Sequence, residues 1–270
     1  MKKIFSLLAA TLLVFALTVP ASAYVQDWTL DLSGAGGSTY TGVELLTVVG
    51  EGTVTQNLGG DGILNDGDTF SLSSYLATIQ IINNNGNPFV DGSFFFHSTD
   101  LGGYVYNVVP GIGNPLGVSS LNYMYTTGSM QLYYGDHNNI AGSQLLMDMS
   151  FEYGKGDGAQ PDLGGNLFSG ATDMIFEFAA SNPGTNLFSH ASFGDLEEFL
   201  AANPLYQAFL VFDLNNNLLL NTFVMGDGFF DVGISVGGNV SLMVTPEPST
   251  FLIFGLGLLG LIAFRKRMAQ

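Results

Sequence analysis

Cysteine is absent from this chain of 270 residues. Disulfides and thiol chemistry are therefore excluded, and the fold must hold by packing, hydrogen bonds or bound ions. Base is nearly absent too, with six Lys and Arg against 23 Asp and Glu. Five of those six bases lie at the two ends as Lys2, Lys3, Arg265, Lys266 and Arg267, so between Tyr24 and Thr245 Lys155 faces 22 acids alone (23 less Glu247). Such a surface cannot neutralise phosphates, which excludes nucleic acid as a partner. Histidine is scarce: His97, His137 and His190 are far apart, and none has a second His at zinc-ligand spacing. One Gly-x-Ser-x-Gly pattern occurs, Gly233-Ile234-Ser235-Val236-Gly237, but it lies inside the alternating run from Val232 to Val244 and not at a strand-to-helix turn, so it forms no nucleophile elbow. The abundance of carboxylates alone argues for no glycosidase pair. The reading is therefore non-enzymatic. Disorder is excluded as well, because 47% of the residues are hydrophobic.

What is present begins with the two ends. Met1-Lys2-Lys3 is a basic n-region, Ile4 to Val19 an apolar run, and Ala21-Ser22-Ala23 a small-residue cleavage site. This is the pattern of a secretory signal peptide, with cleavage expected before Tyr24. At the other end Pro246-Glu247-Pro248-Ser249 is followed by an apolar run from Phe251 to Phe264 and then by Arg265-Lys266-Arg267. Prolines 246 and 248 keep the chain extended ahead of a helix. The basic cluster stays cytoplasmic by the positive-inside rule. The run falls short of the roughly 20 apolar residues that span a bilayer. Gly255, Gly257 and Gly260 weaken it as a helix, which suits a transient anchor better than a permanent one. Three segments follow: a signal peptide over 1–23, an acidic ectodomain over 24–245 and a sorting segment over 246–270.

In the order of its parts, the last segment resembles the PEP-CTERM sorting signal of Gram-negative bacteria that make extracellular polysaccharide. Thr245 stands where that family more often has Val. The resemblance implies processing by an exosortase, transient anchoring in the inner membrane, and release to the cell surface or polysaccharide matrix.

Within the ectodomain the dominant period is two, the mark of half-buried strands. Leu145, Met147, Met149, Phe151 and Tyr153 alternate with Leu146, Asp148, Ser150 and Glu152. Met174, Phe176 and Phe178 do the same, as do Leu121, Tyr123 and Tyr125. Val232, Ile234 and Val236 continue as Val240, Leu242 and Val244 after Gly237-Gly238, a pair that predicts a bulge or bend. Asn215-Asn216-Asn217 predicts a hairpin turn between two apolar runs. The stretch from Gly154 to Gly165 predicts a long surface loop, and Asp157 to Asp162 falls in it as a solvated segment. One helix is expected over Gly194 to Asn203, with acids at its start and Asn-Pro at its end. The expected fold is an all-β antiparallel ectodomain, a β-sandwich or jelly roll with one short helix.

The best candidate site is the stretch from Asn57 to Asp68. Read as a calcium loop, it has Asp61 and Gly62 at the fifth and sixth positions, Leu64 at the eighth, Asn65 at the ninth and Asp68 at the twelfth. The candidate metal residues are Asp61, Asn65, Asp66 and Asp68. Asn57 and Gly59 fit the first and third positions poorly, and a β-turn between two strands is the competing reading. Gly60 to Phe70, together with the sorting tail, resembles the flocculation-associated subgroup of PEP-CTERM proteins, which implies a role in holding cells and polysaccharide together. The aromatic clusters Phe94-Phe95-Phe96, Tyr104/Tyr106, Tyr123/Tyr125 and Tyr133-Tyr134 suit either a core or a sugar-stacking surface.

Three functions remain open on these grounds. The chain reads first as a structural or adhesive matrix protein. Second, it reads as a carbohydrate-binding protein or carbohydrate-active enzyme. Third, its acidic ectodomain suits sensing or storage of divalent cations.

Overall fold

The computed structural model describes residues 23–83, 88–89, 93–112, 115–160, 167–181, 186–204 and 206–246. The chain forms β1 (Ala23–Tyr24), β2 (Trp28–Asp31), β3 (Thr39–Asn57), β4 (Thr69–Asn83), β5 (Pro88–Phe89), β6 (Phe94–Pro110) and β7 (Val118–Tyr134). It continues as β8 (Gln144–Ala159), β9 (Leu167–Ser181), β10 (Phe188–His190), β11 (Gly194–Asp195), β12 (Tyr206–Met225) and β13 (Phe229–Pro246). The helix α1 (Leu196–Ala202) lies between β11 and β12. Asp195 caps it, accepting a 2.9 Å hydrogen bond from the Glu198 N–H, with Glu197 and Glu198 in the first turn.

The all-β antiparallel ectodomain with one short helix is what the periodicity implied. The strands are joined differently from a sandwich or jelly roll. The eight long strands β3, β4, β6, β7, β8, β9, β12 and β13 pair in chain order, and β13 then pairs with β3. That last ladder, from Phe229↔Asn57 to Val240↔Leu46, closes the sheet into an up-and-down barrel. Closure leaves the long strands no free edge to recruit another chain. The edges that remain among the described residues belong to the short strands β1, β5 and β11.

Alternation decides which way the wall faces. On β12 the inward set is Ala208, Leu210, Phe212, Leu214 and Asn216, all buried, while Asp213 and Asn215 face out. On β8, Met147 and Met149 are buried and Asp148, Ser150 and Glu152 are exposed. An apolar inside and a polar outside is the reverse of a membrane-spanning barrel, whose apolar band faces lipid. Eight strands leave an interior just wide enough to be filled by side chains or to hold one small ligand.

The barrel has two unlike ends. At one end lie the connections β4–β6, β7–β8 and β9–β12, with β2, β10, β11 and α1 folded across it. Trp28 is fully buried there, its ring 5.1 Å from Phe188. Phe96, Phe212 and Phe176 continue the packing edge to face, at 5.1 and 5.4 Å between centroids. Each such ring adds about 1.5–3 kcal/mol by burial. At the opposite end lie the loops joining β3 to β4, β6 to β7, β8 to β9 and β12 to β13. We call these the aromatic end and the lid end.

Three readings of turn chemistry are corrected. Asn215–Asn217 is no turn; it lies inside β12, in unbroken register with both β13 and β9. Its neighbours pair on both sides, so ladder hydrogen bonds override the turn preference of asparagine. Residues 154–159, and Asp157 with them, are the end of β8 rather than a loop. Their glycines make room inside: a Cβ on Gly156 would lie 2.3 Å from the Tyr123 ring, and one on Gly158 2.4 Å from the Phe168 ring. Gly237-Gly238 is no bulge, since the register runs through it on both faces. A Cβ on Gly238 would instead strike the Asp213 carbonyl at 2.1 Å. The real irregularity on this ladder is in β12 between Leu219 and Val224, where the Thr222 hydroxyl accepts from the Gly233 N–H at 2.6 Å.

Candidate functional site

Both ends of the ectodomain leave the barrel together. Ala23 pairs with Val244, and Tyr24 with Met243, so β1 lies against the last turns of β13. Pro246 closes β13 opposite Tyr206. The sorting segment therefore begins in the barrel wall with no intervening linker, at the aromatic end. The expected cleavage residue Ala23 is the first described residue and sits in this ladder. Ala21, Glu247, Pro248, Arg265, Lys266 and Arg267 lie outside the described residues. Among the described residues no helix is long and apolar enough to cross a membrane; the apolar run of the tail is not among them.

The Asp61–Asp68 stretch is the β3–β4 connection and covers the lid end. Asp61 accepts from the Ile63 N–H at 3.0 Å and from the Asn65 side-chain amide at 2.8 Å. Asp68 accepts from the Asn65 N–H at 2.7 Å. These bonds bring Asp61, Asn65 and Asp68 together. Asp66 turns away to accept from Val108 N–H on β6 at 2.7 Å. Backbone bonds from Gly67 to Val105 and from Val105 to Asp68 also pin the loop to β6, while Leu58 to Gly228 pins it to the β12–β13 turn. Among the described residues no three of His, Cys, Asp and Glu converge as a metal cluster would require. The loop's apolar position, Leu64, is 4% exposed and plugs the barrel mouth.

Beneath it is a cavity of about 70 Å³ to which every long strand contributes. Its walls are mostly apolar, with Phe70, Phe168 and Phe230 among them. One polar cluster enters: the Tyr123 hydroxyl meets the Thr172 hydroxyl and donates to or accepts from it, and lies 3.1 Å from the Ala171 carbonyl. The Asn216 amide nitrogen donates to Tyr123 Oη at 3.0 Å and to Thr172 Oγ1. Tyr125 stands beside this cluster, edge to face with Tyr123 at 5.8 Å. Burial pushes the Tyr125 phenol well above its usual range. Burial raises Tyr123 as well, against the opposing hydrogen bonds of Thr172 and Asn216. Both stay neutral, so the chamber holds no phenolate. Asn216 is 7% exposed, and its Oδ1 is buried with no hydrogen-bond partner.

Asn216 escaped the sequence reading because the three consecutive asparagines look like a turn. The signal that finds Asn216 is the alternation Leu210, Phe212, Leu214, Asn216, Leu218, Leu220, which never breaks phase.

The aromatic clusters divide. Phe94, Phe96 and Tyr125 are interior. Tyr104 and Tyr106 lie 6.1 Å apart, with Tyr104 36% exposed. Phe95 stacks on Tyr133 at 5.4 Å and 13° and meets His137 edge-on. His137 and Asn138 border a groove of about 720 Å³, whose other side is Val49, Glu51 and Ser235 on β3 and β13. Nearby, burial lowers the pKa of His97, a shift that its Gln131 contact opposes.

Compared with known proteins, the chain matches the PEP-CTERM protein-sorting motif over residues 244–267. No curated protein and no solved structure matches it. The chain thus carries a PEP-CTERM motif at its C-terminal end. That motif implies an exosortase-sorted exported protein, anchored transiently in the membrane before release to the surface.

Proposed function

We propose that this protein is a non-enzymatic structural or adhesive component of the extracellular polysaccharide matrix, supporting cell aggregation in flocs or biofilm. The sorting motif over residues 244–267 carries this reading. A tail that delivers a barrel with a polar, acidic wall to the surface fits a matrix component. The Gly60–Phe70 resemblance to the flocculation-associated subgroup points the same way. The test is deletion of the gene. Polysaccharide secretion should continue while aggregates disperse; normal flocculation in the deleted strain would remove the role. Mass measurement of the protein recovered outside the cell should show that Phe251 to Gln270 are gone.

A second reading, a protein that binds or acts on matrix carbohydrate, is favoured by the groove that His137, Asn138 and Glu51 border and by the half-buried Tyr133, whose ring stacks on Phe95 next to His137. Aromatic faces stack on sugar C–H patches, while Asn, His and Glu supply hydrogen bonds. Retention on matrix polysaccharide that falls with Tyr133→Ala supports the binding form, and release of reducing ends supports the enzymatic one. Divalent cations enter as bridges across the acidic wall, with Asp61, Asn65, Asp66 and Asp68 as the proposed calcium residues. Calorimetry at millimolar calcium, repeated on Asp66→Asn, tests that part separately.

A further inference from the structure

The geometry points to the lid end as a binding chamber for a small, neutral, largely apolar molecule with one hydrogen-bonding group, a one-ring alcohol or phenol being the class that fits. Four observations lead there. First, the cavity is enclosed mainly by apolar side chains, a setting that favours an apolar guest over water. Second, Asn216 presents a buried amide group with no partner: its nitrogen serves Tyr123 and Thr172, and Oδ1 has none. Exchanging the two amide atoms leaves the nitrogen unmatched instead, so the chamber offers one unused hydrogen-bonding group either way. A ligand hydroxyl would supply what is missing.

Third, no base lines the chamber, so a carboxylate guest would lose its hydration without gaining a counter-charge. Fatty acids are therefore disfavoured against neutral molecules. Fourth, the closure is a side chain on a loop rather than part of the wall. Leu64 plugs the mouth from a connection with Gly59, Gly60, Gly62 and Gly67 at positive φ. The closed volume of about 70 Å³ is about half of the ~150 Å³ known to admit benzene. A one-ring guest thus needs Leu64 to move aside. The mouth also lies at the end of the barrel opposite the sorting motif, and so the tail does not cover it.

The test is calorimetry and thermal melting of the secreted protein with benzyl alcohol and with toluene, which has the ring and no hydroxyl. Benzyl alcohol should bind about tenfold more tightly than toluene. Asn216→Leu should erase that preference, and Leu64→Ala should tighten both by about tenfold. If Asn216→Leu fails to fold, the lid variant decides alone, since it alters no strand. No heat and no melting shift with wild type and Leu64→Ala together would overturn the inference. So would an Asn216→Leu variant that melts higher while neither compound binds the parent, because Asn216 would then be holding only a structural water.

Discussion

The aromatic end and the lid end use the same eight strands and differ in what fills them. At the aromatic end Phe96, Phe176 and Phe212 meet ring to ring with no exposure, and Trp28 of β2 packs against Phe188 of β10. At the lid end Gly156, Gly158 and Gly170 thin the wall, a polar cluster enters, and a cavity remains. The tether emerges from the packed end. A sorting segment continuous with β13 transmits any pull on it directly into the wall, and dense packing there resists fraying of β1 and β13. The end that faces away bears no such load and can tolerate space.

The largest effect should come from breaking the packed end. Phe212→Ala removes a ring held by Phe96 and Phe176, and a loss of about 3–5 kcal/mol is expected by denaturant titration. A loss no greater than that of a lid-end substitution would erase the contrast between the ends. Next is the buried cluster. Tyr123→Phe strips the hydroxyl from Thr172 and Asn216 and should lower stability by about 1–3 kcal/mol, because the partners are left unsatisfied. The α1 cap follows: Asp195→Ala should cost about 1 kcal/mol, with hydrogen exchange quickening in Leu196–Ala202 and not in the long strands.

The smallest effect concerns acid. The Asp31 carboxyl at the aromatic end sits below its usual range, held by Ser33 first and by Thr39 as well. A depressed folded pKa means stability that is present above the unfolded value near 3.8 and is lost as pH falls through the folded one. Melting curves should therefore fall less steeply below about pH 4 in Asp31→Asn than in the parent. Equal slopes would place the acid sensitivity elsewhere.

Much of this was legible in the chain itself. The runs around Met147, Phe176 and Val232 announce strands, because a wall wet on one side must alternate. The cap at Asp195 and the end at Asn203 announce α1. The candidate loop was found as a turn between strands, but the burial of its Leu64 was not, because nothing local says that Leu64 lines one cavity with side chains from β6, β7 and β13. Asn216 was hidden for the same reason. Asparagine favours turns when its backbone is free, and here two neighbouring strands claim that backbone.

By itself the sequence determined the C-terminal sorting motif, the acidic character and the alternation, since hydropathy, charge and period are properties of neighbours along a chain. Closure of the ring, the meeting of Ala23 with Val244, and the chamber around Asn216 were decided by tertiary structure alone. Each depends on residues far apart in sequence, such as Asn57 and Phe229, whose pairing no local preference encodes.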